Sequence, residues 1–409
     1  MKNTQPTPLI VAACLVALLS TVGAALPYPI LPPLFAAEAS NPLNHFMGLP
    51  PKLLFGLALA INPLGLLIGS ALLGPLSDRY GRRPVLLSTA LGAALGHAVT
   101  AVALLQQSYP LFVLARFVTG LMEGNTSVAR AMLADRLDGA LRVRAFSLLN
   151  GALYVGWLAG PLLAGATVHW GITTPFWVAA GALLVTATIA VAVVPAQRAN
   201  ALRTAWWQVV TRQHTFKLLV HADLRTLFVV QFAYTCGVTA FYEFYPLWLV
   251  EVSHFDARGI AWATAALCAT MTAASVMAGR TVAADPLRRA SQFAFISAVC
   301  IAAVALGTPL IGLLAIVAFG LPNAYYNAVM PAWCAERYGH FGQGAVMGLL
   351  STTFCLANIV MAVLGALLTL IDTRLILVLG ASLSAWAAWR IRQWRLAPAN
   401  PLAATIVNP

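Results

Sequence analysis

Long, uninterrupted apolar blocks constrain this chain more than any other feature. The run PLIVAACLVALLSTVGAALPYPILPPLF (8–35) is one of a series, many close to 20 residues long. About 20 apolar residues in a helix cross the roughly 30 Å of a bilayer's hydrocarbon. Strands of a membrane barrel would instead show short alternating segments, and no such alternation is present. Only 9% of the 409 residues are charged, against about 25% in soluble domains. The mean hydropathy is +0.83. These features predict an all-α polytopic membrane protein, with spans at 8–35, 51–76, 84–105, 110–134, 145–168, 175–195, 223–250, 258–279, 291–306, 308–333, 344–370 and 373–394.

The formal net charge of +12 suggests nucleic acid only until the charges are placed. Arg79, Arg82, Arg83, Arg142, Arg144, Arg212, Arg288 and Arg337 fall in loops on one side, together with Lys2 and the tail residues Arg390, Arg392 and Arg395. The opposite loops hold Lys52, Arg258 and Arg374. This bias predicts cytoplasmic termini, and the basic balance needs no nucleic-acid partner. The six cysteines lie in or at the ends of apolar spans and read as small buried hydrophobes. No metal-ligand spacing occurs, so neither a metal nor a cofactor is expected. The absence of HExxH, paired histidines and clustered acids argues against an intramembrane enzyme.

The polar, basic stretch PAQRANALRTAWWQVVTRQHTFKLLVHADLR (195–225) divides the spans six and six. The expected organisation is an N-terminal six-helix bundle (1–195), a cytoplasmic linker (196–222), and a C-terminal six-helix bundle with a short tail (223–409). Two such halves suggest duplication, with a pathway between them.

Several motifs narrow the reading. GPLSDRYGRRPVLL (74–87) combines Gly74, Asp78, Arg79, Gly81, Arg82 and Arg83 in a tight turn before Pro84. A positive-inside loop explains the arginines but not their spacing with glycine and aspartate. GALYVGWLAGPLLAG (151–165) places Gly156, Gly160, Pro161 and Gly165 where a neighbouring helix can pack closely. ARFVTGLMEGNTSVAR (115–130) carries Arg116, Glu123 and Arg130, seven residues apart; on a continuous helix they share one face at about 10 Å intervals. An ionised group at the bilayer centre costs from about 3 to about 10 kcal/mol or more, so such a face turns toward a wet cavity or a partner. Two readings of Glu123 stay open. It is a carboxyl balanced between desolvation and a neighbouring arginine, able to exchange a proton, or it is an ionised bridge between two arginines.

Together these motifs resemble the major facilitator superfamily. The 74–87 loop is similar to its Gly-x-x-x-Asp-Arg-x-Gly-Arg-Arg element, Arg116 with Gly120 to its helix-4 pattern, and 156–165 to the helix-5 motif of proton-coupled antiporters. STVGAALPYPILPPL (20–34) resembles the first helix of twelve-span drug and tetracycline exporters, with Ser20 where those carry an acid and Ala164 replacing a glycine in helix 5. The resemblance implies two six-helix bundles in the major facilitator fold and alternating access. It further implies a cytoplasmic gate of Gly74, Asp78, Arg79, Gly81, Arg82 and Arg83 with Asp135, in which Asp135 meets Arg82. The expected function is proton-driven export of a small amphipathic or drug-like solute from a bacterial inner membrane, by a protein acting as a monomer. Its partners would be the solute, protons and the lipid bilayer. The alternative is an importer or facilitator of a small metabolite, which the serine at position 20 keeps open.

The coupling candidates are Glu123, Arg116 and Glu243. Glu243 lies among Phe241, Tyr242, Phe244, Tyr245 and Trp248; it is either a binding point for a cationic amphiphile or a hydrated acid in an interfacial aromatic belt. Asn323 and Asn327 share a helical face that lines the cavity or pairs with another helix. Asn62, Gln231, Tyr234, Tyr242 and Asn358 are further cavity candidates. His97, a single mid-helix histidine, reads as an interhelical donor.

Overall fold

A computed structural model describes residues 6–36, 41–137, 139–194, 220–278, 285–338 and 343–396. The chain runs α1 (Pro6–Ala25), α2 (Pro27–Ala36), α3 (Pro51–Tyr80), α4 (Arg82–Leu105), α5 (Tyr109–Glu123), α6 (Thr126–Arg136), α7 (Gly139–Thr167), α8 (Thr174–Val193), α9 (Ala222–Ser253), α10 (Ala257–Ala278), α11 (Pro286–Leu306), α12 (Pro309–Tyr338), α13 (Gln343–Leu368) and α14 (Thr373–Leu396). Among the described residues, nine helices are long and apolar enough to cross a membrane. Most of the expected linker (up to residue 219) lies outside the described residues, as do residues 279–284.

Two spans are broken, each for a local reason. Pro27 and Pro29 have no N–H, so Gly23 and Ala25 lose their helical donors and the first span divides at Leu26. The fourth span divides at Gly124–Asn125, where Asn125 N donates to Met122 O and Ser127 N to Gly124 O, both at 3.3 Å. These tighter, three-residue bonds interrupt the α-helical ladder. The continuous face expected for Arg116, Glu123 and Arg130 therefore does not exist: Arg130 belongs to α6, beyond the break. Elsewhere the ends follow standard chemistry. Pro51 opens α3, and Asp285 caps α11 by accepting from Arg288 N at 2.9 Å. Gly81 joins α3 to α4 at φ +95°, a region closed to most side chains.

The helices form two bundles of six spans. In the first, α1 packs on α7 and α8, α3 on α5, and α4 on α5 and α8; in the second, α9 packs on α13 and α14, and α11 on α12 and α14. Between bundles the second span of each lies against the fifth of the other, α3 on α13 and α10 on α7. That reciprocal pairing is the geometry of a duplicated unit.

The apolar core shows how the bundles meet. At the end away from the termini one cluster joins both halves, running from Ile30, Phe55 and Phe112 to Phe244, Trp248 and Ile376. At the end where α1 begins and α14 stops there are two clusters: Leu9, Leu86, Leu133 and Leu149 in the first half, and Leu227, Ala294, Met330 and Ile391 in the second. Contacts across the far end are close. A Cβ on Gly56 would stand 2.2 Å from Ala366 Cβ, and one on Gly165 would stand 2.2 Å from Ala261 Cβ. Phe55 meets Phe244 edge-on at 6.0 Å, and Lys52 pairs with Glu251 at 2.7 Å.

Candidate functional site

Glycines set the register of α3 against α5. Cβ atoms on Gly65 and Gly69 would stand 2.3 and 2.1 Å from the carbonyl oxygens of Phe117 and Leu121, and one on Gly120 would stand 2.2 Å from that of Asn62. Backbones this close need small residues. The approach inserts the Asn62 amide between turns of α5, where Nδ2 donates to Arg116 O at 3.3 Å and to Glu123 Oε2 at 3.2 Å.

The other carboxyl oxygen, Glu123 Oε1, lies 3.2 Å from His97 Nε2 on α4. Both residues are buried, at 2% and 0% exposure. Helix α1 closes over the pair with backbone alone, since a Cβ on Gly23 would meet His97 Nε2 at 2.3 Å and Glu123 Oε1 at 2.6 Å. A second polar layer sits at the α5–α6 break: Ser20 Oγ donates to Asn125 Oδ1 at 3.1 Å, and Asn125 Nδ2 to Thr89 Oγ1 at 3.4 Å. Thus the hydrogen bonds of the Glu123 carboxyl go to a histidine and an amide. Chemically, an imidazole and a carboxyl in contact can hold and exchange a proton without exposing a bare charge to hydrocarbon.

Arg116, on the same helix, borders a cavity between the halves, whose walls include Tyr28, Asn62, Trp157, Phe354 and Asn358. Tyr28 meets Trp157 edge-on at 5.5 Å, and Trp157 meets Phe354 edge-on at 6.3 Å, so an aromatic chain crosses from one bundle to the other. Glu243 is 2% exposed on α9; it is a buried acid in the joint apolar core and not a hydrated one in a belt. Its Oε2 has no hydrogen-bond partner among the described residues.

The remaining sequence candidates fall into three places. Asn62 and Asn358 border the cavity. Gln231 and Tyr234 lie with Tyr326: Tyr326 Oη donates to Gln231 Oε1 at 2.8 Å, and the two tyrosine rings stack at 3.6 Å. Asn327 donates to Asn323 Oδ1 at 3.0 Å, and Asn323 to Tyr242 Oη at 3.2 Å. Those two groups join α9 to α12 and are not among the residues bordering the cavity. In α7, Gly156 and Gly160 seat α1 against Thr21 and Ala25, whereas Gly165 faces α10 of the other half; Pro161 lies inside α7. At the terminal end, Arg82 Nε and Nη2 reach Asp135 Oδ2 at 3.0 and 2.9 Å, and Arg82 also donates to Ser77 Oγ. Arg79 stacks over Tyr80. Gly74 and Asp78 lie in the last turns of α3, and the Asp78 side chain is outside the described set. Arg83 follows Arg82 in the first turn of α4.

Sequence reasoning did not find Tyr28, Trp157 or Phe354, nor the contact of His97 with Glu123. The prolines around Tyr28 are the one sequence signal that this span is distorted.

Comparison with known proteins follows the same lines. The profile of the Major Facilitator Superfamily matches residues 13–362. Over 166 residues the chain is 34% identical to the class C tetracycline resistance protein of Escherichia coli, a match covering 40% of this chain and 38% of that protein. The class B protein of the same organism is 31% identical over 170 residues, covering 41% and 39%. The chain thus matches about two fifths of the length of these curated relatives. Its fold is similar to that of the human organic anion transporter MFSD10, with TM-score 0.69 at 18% identity, covering 95% of this chain and 99% of that one. The xylose transporter XylE from E. coli gives TM-score 0.72 at 16% identity, covering 97% and 98%.

Proposed function

The chain belongs to the Major Facilitator Superfamily, whose members are secondary transporters, and on that premise we propose that it exports a small amphipathic solute from the cytoplasm in exchange for protons. It is a multi-pass integral membrane protein; the proposal adds a bacterial inner membrane, cytoplasmic termini and two bundles bounded at 1–195 and 223–409. The observation that carries the coupling is the His97–Glu123 pair, buried beside a cavity that both bundles line. Asn62 touches both, bonding Glu123 and bordering the cavity, so a solute that displaces Asn62 changes the environment of the proton site. Ser20 bonds Asn125, and a serine hydroxyl does not ionise near neutral pH, which leaves Glu123 as the acid at this depth among the described residues of the first bundle. Arg82 and Asp135 tie α4 to α6 at the cytoplasmic mouth, and their rupture or formation accompanies the swing between states.

Tetracycline is the first probe, because the relatives are tetracycline resistance proteins. Purified protein in liposomes, loaded with the probe and given an imposed pH gradient, should move it against its concentration. Glu123→Gln should abolish that dependence on the gradient. Gradient-driven flux that survives Glu123→Gln unchanged would remove this site as the coupling point.

A further inference from the structure

The wall of the cavity between the halves holds one charged side chain, and proton exchange at Glu123 and His97 does not use it. Arg116 borders the cavity, is 3% exposed, and its Nη1 finds no acceptor among the described residues. No acidic residue stands among those bordering the cavity. The carboxyl seven residues along the same helix is engaged at its two oxygens by His97 and Asn62. The Asn62 amide, also in the wall, donates to Arg116 O and to Glu123 Oε2. Three rings of the wall form a chain from the first bundle to the second. Tyr28 meets Trp157 at 5.5 Å, and Trp157 meets Phe354 at 6.3 Å, both edge-on.

A buried donor without an acceptor is costly, and more so when it is charged. A water or carbonyl oxygen satisfies the N–H but does nothing for the charge of the guanidinium. An anionic oxygen does both, through a charge-assisted hydrogen bond. A cation meets the opposite situation: it approaches Arg116 with no carboxylate in the wall to offset the repulsion. We propose that the cavity selects an aromatic anion of the aryl carboxylate kind. One oxygen accepts from Arg116 Nη1, and the ring lies against Tyr28, Trp157 and Phe354 in the offset or edge-on arrangements that aromatic pairs favour. Arg116 and Trp157 belong to the first bundle and Phe354 to the second. The anion is therefore held by charge on one side while its ring touches both halves. The proposal rests on the transporter reading above and deepens it by naming the solute class.

The test is binding to the full-length protein in lipid nanodiscs at fixed neutral pH, with no gradient, by equilibrium dialysis against empty nanodiscs. Three probes share one ring: naphthoate, its uncharged isostere naphthamide, and the cation naphthylmethylamine. Naphthoate should bind at least about tenfold tighter than the amide, the effect of one charge-assisted hydrogen bond, and the amine should bind more weakly than either. Arg116→Gln should lower naphthoate to the affinity of the amide and leave the amide nearly unchanged. Phe354→Ala should weaken naphthoate and amide together and preserve their ratio, which separates this cavity from the arginines at the membrane surface. If Arg116→Gln does not fold, the wild-type ranking and Phe354→Ala decide. A smaller preference for naphthoate, or an amine that matches it, overturns the proposal. So does a preference that survives Arg116→Gln, or a naphthoate affinity untouched by Phe354→Ala. Absence of saturable binding up to millimolar probe also overturns it, water then being the partner of Arg116. Flux that ignores a pH gradient while this ranking holds would remove proton exchange and leave the solute class standing. Gradient-driven flux without the ranking would do the opposite.

Discussion

The two bundles share a plan and differ in what they bury. The first pairs ionisable groups: Glu123 with His97, both buried and joined by the Asn62 amide, and Arg82 with the half-exposed Asp135. The second buries mostly neutral polar groups, with Tyr326 on Gln231 and Asn327 on Asn323 on Tyr242, plus one carboxyl, Glu243, with an unmatched oxygen. A matched pair of titratable groups can change its proton count without releasing a charge into hydrocarbon. A neutral network cannot, but it holds helix positions that do not shift with pH. On the proposed function, the contrast would place proton handling in the first bundle and a neutral polar frame in the second.

Four measurements press on that division. The largest effect is expected from Glu123→Gln, which should cut gradient-driven flux by at least about tenfold. His97→Gln keeps a donor toward Glu123 and should flatten the pH dependence of flux while sparing part of the rate. Equal losses of gradient dependence in Glu123→Gln and in Tyr326→Phe would erase the distinction between bundles. Next, Glu243→Gln replaces a buried carboxyl whose Oε2 has no partner among the described residues. It should raise the thermal midpoint in detergent by about 2 °C or more, whereas Glu123→Gln, by disturbing a matched pair, should lower it. A drop in both would show that Glu243 has a partner in solution. Third, Tyr326→Phe leaves the Gln231 oxygen without its donor and should cost about 1 kcal/mol of stability, with the pH profile of transport unmoved. The smallest effect belongs to Arg82→Ala. Asp135 is 44% exposed, so the loss should be about 1 kcal/mol or less and should shrink in high salt.

What could be read from the sequence follows from what each feature depends on. The spans needed only hydropathy, and the meeting of Arg82 with Asp135 followed from a motif whose spacing was intact. The shared face of Asn323 and Asn327 needed only the four-residue repeat of a helix. The contact of His97 with Glu123 depends on the relative register of α4 and α5, and glycine contacts fix that register in three dimensions, where no sequence spacing records them. The break at Gly124–Asn125 was missed because neither residue forbids a helix. Each weakens it slightly, and the packing of Gly124 on Ser70, where a Cβ would lie 2.5 Å from the backbone nitrogen, decides the outcome. Tyr28 was missed for a related reason: prolines declare that a helix is distorted, not where the side chains between them will point.

The unequal division of the apolar core has a mechanical consequence. One cluster spans both bundles at the far end, and two separate clusters stand at the terminal end. Parting the far end would wet part of a continuous core, at roughly 25 cal/mol for each Å² of apolar surface exposed. Under the proposed alternating access, the terminal clusters would have to fuse as the far one divides, so that the amount of dry contact is nearly conserved. On that proposal the molecule would act as a balance with one removable seam, and a mutation that changes greasiness at either end should shift which face it rests on while leaving the cavity lining unchanged.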